Sequence, residues 1–156
     1  MKNKQQIKTN NLTESKKINL TPHYSVTLPV IFKELTNQIE VSISLLNLKD
    51  NWDEEGSEGY RESTLIKSVD FLSKYALWIW EMMEIVIDTP KFLPGPNGSI
   101  DLFWEKDNYD LLINIPVPPN NIAGFYGDNK KDTQIEGKFN LKSYNQGIFL
   151  CLLNQK

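Results

Sequence analysis

The feature that most constrains this chain is a change of hydrophobic period at Pro90. Upstream, Leu65, Val69, Leu72, Ala76, Ile79, Met83 and Val86 recur every three or four residues, the repeat of one helix face. Downstream the apolar residues alternate: Ile100, Leu102 and Trp104 in SIDLFWE, then Tyr109, Leu111, Ile113 and Ile115 in YDLLINI. A period of two puts each set on one side of a strand. A chain that switches once between these repeats keeps its helices apart from its sheet, which is the α+β arrangement.

An earlier helix is expected from Pro29 to Leu48, where Ile31, Leu35, Ile39, Ile43 and Leu46 share one face and Pro29 suits the first turn. The run IEVSISL inside it also alternates like a strand. Ser63 is placed to cap the second helix, and Trp78, Trp80, Met82 and Ile85 widen its apolar band, so it should be covered on more than one side. That helix should end before Pro90. PGPNG, KDN and PVPPNN read as turns, and IAGFYG and TQIEGKF as further strands. SYNQGIFLCLLNQK is read as a closing helix that buries Ile148, Cys151 and Leu152, although Gly147 disfavours it. The expected fold is therefore α+β, with two N-terminal helices packed on a four-stranded antiparallel meander and a C-terminal helix. Residues 1–20 carry five lysines against one acid and few large apolar groups. The expected organisation is a basic mobile tail over 1–22 and one domain over 23–156.

At 156 residues the chain can bury a sizeable core, and its net charge of −3 makes no general case for a nucleic-acid or membrane partner. Only Arg61 among the 17 basic residues is arginine, which weakens a nucleic-acid reading further, leaving only the basic tail for that role. The N-terminus lacks the apolar core of a signal peptide and no apolar run is long enough to span a bilayer, so a cytoplasmic protein without a membrane partner is expected. Cys151 is the only cysteine and His23 the only histidine. A Cys–His nucleophile pair would have to join them, yet Cys151 stands in the apolar run IFLCLL. No nucleotide-binding, zinc-protease or serine-hydrolase motif occurs, and no cofactor is expected.

The stretch most like a reactive site is the acidic loop NWDEEGSEGYRE, residues 51–62. Read as a twelve-residue calcium loop, it would place Asn51, Asp53 and Glu55 at positions 1, 3 and 5, Gly56 at 6 and Glu62 at 12. Against this, Asn51 lacks the usual charge, Glu55 is longer than the usual ligand, and Glu58 holds a position that is normally apolar. A turn explains the stretch more simply: Trp52 inserts into the core, Gly56 and Gly59 let the backbone reverse, and the acids stay wet. A site built from Asp53, Glu55 and Asp101 would still allow metal-assisted hydrolysis.

The motifs NWDEEG, PGPNGSIDLFW, YDLLINIP, FYGD and IEGKF occur in that order over roughly residues 45–140. Together they resemble a widespread family of small, uncharacterised bacterial and archaeal proteins with an N-W-D-x-x-G loop, a P-x-G-x-I-x-L-x-W strand, and L-L-I-N-I-P and F-Y-G-D strands. In that family proline often follows the loop, where this chain has Gly59. The resemblance implies a shared fold with Trp52 and Trp104 in common, and no activity; an association with mobile elements is all it adds.

Alternation also assigns the opposite face of the sheet. It should carry Asp101, Phe103 and Glu105, then Asp110, Leu112 and Asn114, then Ala123 and Phe125. Phe103, Leu112 and Phe125 would then cluster inside an acidic rim that includes Asp101 and Glu105. Either another segment covers this trio or it binds a partner. The function expected is a non-enzymatic protein-binding module, such as an antitoxin, immunity protein or accessory defence subunit, whose partner is another protein. The alternative is a carboxylate-dependent metal-binding protein or hydrolase centred on Asp53, Glu55 and Glu62.

Overall fold

The computed structural model describes residues 14–143. It opens with a hairpin, strand β1 (Ser15–Thr21) antiparallel to β2 (Tyr24–Pro29). Residues 15–21 were expected to belong to a mobile tail. They form a strand instead, with Ile18 and Leu20 buried on one face to either side of exposed Asn19, while both lysines remain exposed. His23 sits in the exposed hairpin turn, where its N–H donates to Thr21 Oγ1 at 3.2 Å.

Helical structure follows. A short 3₁₀ turn over Val30–Phe32 runs into helix α1 (Lys33–Ser42), and a second 3₁₀ turn covers Ile43–Asn47. The strand-like reading of IEVSISL gives way to the four-residue spacing that buries Leu35 and Ile39. Helix α2 (Glu62–Met83) is the longest element. Its N-cap is the extended Arg61, with no side-chain cap, so Ser63 lies inside the first turn and does not cap it. Glu84 adopts the left-handed conformation and its N–H bonds Trp80 O, which ends the helix six residues before Pro90. Leu65, Val69, Leu72, Ala76 and Ile79 are fully buried, whereas Met82 and Met83 in the last turn are exposed.

The second half is a five-stranded antiparallel sheet in sequential order. Its strands are β3 (Lys91–Pro94), β4 (Ile100–Glu105), β5 (Asp110–Ile115), β6 (Ile122–Asp128) and β7 (Gln134–Asn140). The expected fold class is thus corrected. The sheet has five strands, not four, because KFLP pairs with β4 in register Phe92↔Leu102; a two-stranded sheet precedes the helices, so these are not N-terminal. The expected C-terminal helix and Cys151 lie outside the described residues.

One face of the sheet is the core. Ile100, Leu102 and Trp104 of β4 and Leu111, Ile113 and Ile115 of β5 are almost completely buried, and α2 packs against both strands. On the far side the helices meet the hairpin, α1 against β1 and α2 against β2. Asp88 ties the segment after α2 to the sheet: Trp104 Nε1 donates to its carbonyl at 2.8 Å, and Tyr109 Oη donates to its carboxylate at 3.3 Å. Burial and that carboxylate push the Tyr109 phenol well above its ordinary range.

The faces predict a sharp contrast. Leu102→Ala should cost about 2–5 kcal/mol in urea denaturation, as a large-to-small change in a packed core. Leu112→Ala, next door on the other face, should cost about 1 kcal/mol. Equal costs would refute the assignment of faces.

Candidate interaction surface

The register decides which side chains share the outer face. Phe103 pairs with Leu112, and Leu112 with Tyr126, so these three form one row across β4, β5 and β6. Lys91 and Glu136 extend the row to the sheet edges. Phe125 does not join it. It pairs with Ile113 on the inner side, where its ring lies 6.1 Å from Phe139 and leans over Gly137. Ala123 is likewise buried on the inner side. The sequence IAGFYG offers two alternations, Ala123 with Phe125 or Ile122 with Tyr126, and the structure takes the second outward. The assignment of Phe125 to the surface trio is therefore corrected: Tyr126, 40% exposed, stands in its place.

Around the row lie Leu93 and Ile122, both exposed, and a set of charges. The outward strand positions hold five carboxylates, Asp101, Glu105, Asp110, Asp128 and Glu136, against two lysines, Lys91 and Lys138. Some of this charge is matched locally, since Lys91 lies 3.2 Å from Glu105 and Lys130 lies 3.0 Å from Asp110. Tyr126 Oη donates to Asp128 at 3.3 Å. Among the described residues the packed helices all lie on the inner side, and the outer row stays partly exposed, most of all at Tyr126.

At one end of this face the polar groups interlock. Asn114 Nδ2 donates to Ser99 Oγ and to Asp101 Oδ1, both at 2.7 Å. Ser99 closes the PGPNG turn, bonding Gly95 N–H through its carbonyl, and Tyr60 Oη donates to Gly95 O at 2.8 Å. Gly98, at positive φ, faces Glu58 and the Gly59 carbonyl so closely that a Cβ there would lie 3.3 Å from each. The later part of the 51–62 loop, Glu58 to Tyr60, thus touches the PGPNG turn directly.

Within that loop the side-chain oxygens serve the backbone. Asp53 Oδ1 accepts from the N–H groups of Glu55 and Ser57, and its other oxygen accepts the Ser57 hydroxyl, which holds its carboxyl below the usual range. Asn51 Oδ1 accepts from Gly56 N–H and Asp50 Oδ1 from Gly59 N–H, each at 2.8 Å. The Asp53–Glu55 bond is an Asx turn and the others are longer-range side-chain caps, so these oxygens are turned toward the loop's own backbone. Glu55 is an exposed loop residue and Glu62 belongs to the first turn of α2. No group of three or more His, Cys, Asp or Glu able to hold a metal occurs among the described residues. Trp52, expected in the core, is 40% exposed and tilts against Tyr60, which is buried in its place.

No helix among the described residues is long and apolar enough to cross a membrane. Comparison of the chain with protein-family models, curated proteins and solved structures found no match.

Asp101 is half-buried, and that burial raises its carboxyl above the ordinary 3.8, with the Asn114 bond pulling the other way. A raised acid pKa means the folded protein holds the proton more tightly than the unfolded chain. Stability is then lost as pH rises through the folded value, and the cost persists at neutral pH. Asp101→Asn keeps the acceptor for Asn114 and removes that cost. It should raise the melting temperature at neutral pH and change little well below pH 3.8; thermal denaturation at both pH values checks this.

Proposed function

We propose that this chain is a non-enzymatic protein-binding module that engages a basic partner protein through the outer face of its five-stranded sheet. The observation that carries this reading is the row Phe103–Leu112–Tyr126, apolar at its centre and partly exposed, lying across three adjacent strands inside an acidic frame. Soluble monomers rarely leave such a row open without use. A rigid sheet presents it at little conformational cost, because the strands are fixed by the core on their other side. The carboxylates add steering: an acidic frame draws in a basic surface and rejects an acidic one. A nucleic-acid-binding protein offers such a surface, and covering it is how an antitoxin, immunity protein or accessory defence subunit would act.

The test is affinity capture from the source cells, with the retained proteins identified by mass spectrometry. Phe103→Asp and Tyr126→Asp should each release a basic protein that the wild type retains, with melting temperatures close to wild type. Raising the salt concentration should release the same protein, since exposed charges are screened beyond about 10 Å at 0.1 M. Phe125→Asp should instead unfold the domain, because that side chain belongs to the inner face. If both surface variants hold every protein that the wild type holds, the outer face is not the binding site.

A further inference from the structure

Strand β7 is an edge of the sheet among the described residues, and its sequence QIEGKFN is complementary to itself when reversed about Gly137. We infer that β7 pairs antiparallel with β7 of a second copy of this chain, joining two sheets across a two-fold axis at Gly137.

The backbone direction permits this pairing. The β6–β7 ladder is bracketed by Leu141 N–H to Asn121 O and by Asn129 N–H to Thr133 O. Both bonds use odd-numbered residues of the later segment, so Ile135, Gly137 and Phe139 direct their amides toward β6. Gln134, Glu136, Lys138 and Asn140 therefore present theirs at the edge. In the paired strands Glu136 meets Lys138 of the other copy, and Gln134 meets Asn140, each pair exchanging two bonds for about eight in all. Gly137 faces Gly137 at the close, non-bonded position on the axis, where the absence of a side chain lets the strands approach.

Side chains agree with the backbone on both faces. Outside, two Glu136–Lys138 ion pairs form across the axis; inside, Ile135 meets Phe139 twice. Facing strands of opposite charge are favoured and like charges directly opposite are not. The other edge differs: β3 has four residues and carries Pro94, which removes a donor. β7 has seven residues and no proline. Contact between two strands of this length is small, which places the pair among weak interfaces, with a dissociation constant on the order of micromolar or above.

Charge exchange in the full-length chain provides the test, read by sedimentation equilibrium at low salt. Wild type should be a dimer. Glu136→Lys puts lysine opposite lysine, and Lys138→Glu puts glutamate opposite glutamate, so each should weaken dimerisation roughly tenfold. An equimolar mixture of the two variants restores both ion pairs and should dimerise like wild type, as should the doubly exchanged chain. A wild type that stays monomeric to millimolar concentration overturns the inference; residues after 143 or a foreign strand would then be the occupant of the edge. A dimer equally strong in both single variants overturns it too, and would place the contact elsewhere.

Discussion

Burial of one sheet face against α2 is the contact on which the other features depend. Ile100, Leu102, Trp104, Leu111, Ile113 and Ile115 present an unbroken apolar surface, and no polar atom interrupts it except the indole N–H that Asp88 receives. Each fully buried side chain of this size is worth about 1.5–3 kcal/mol relative to exposure, offset largely by the entropy of ordering the chain. Because the side-chain period is two, sealing these residues inward forces their neighbours outward. Phe103 and Leu112 are at the surface because Leu102 and Ile113 are not.

The same logic shows how much of the fold was legible in the sequence. Strands β4 and β5 alternate without ambiguity, so their faces could be read directly. In β6 both phases are part apolar, and no property of IAGFYG says whether Phe125 or Tyr126 turns inward. The choice is made by register with β5, a tertiary fact. β3 was hidden by Pro94, which signals a turn even though an edge strand tolerates proline. β1 was hidden by Lys16 and Lys17, which precede Ile18 and Leu20 and make a strand look like a solvated tail. Trp52 shows the reverse error: a large aromatic residue invites burial, but Tyr60, eight residues on, took the core position, with its hydroxyl bonded to Gly95.

For the candidate site, the acidic rim and two members of the apolar row were readable, and Tyr126 was not. The loop of residues 51–62 looked most like a reactive site, yet the side-chain oxygens of Asn51 and Asp53, with neighbouring Asp50, bond the loop's own backbone. Acidic composition alone does not separate a ligand set from side chains that cap a loop's own backbone. The partners of the oxygens do.

Gly59 has a consequence of its own. A β-carbon there would lie within 2.7–2.8 Å of the backbone at Leu48, Lys49 and Asp50, while Tyr60 N–H bonds Leu48 O at 2.9 Å. The two arms of the connection are clasped at their base, whereas Gly56 near the tip has open space around it. Insertions and deletions in homologous chains should accordingly fall between the clasp and the tip, and the mutual angle of the helices should survive them unchanged.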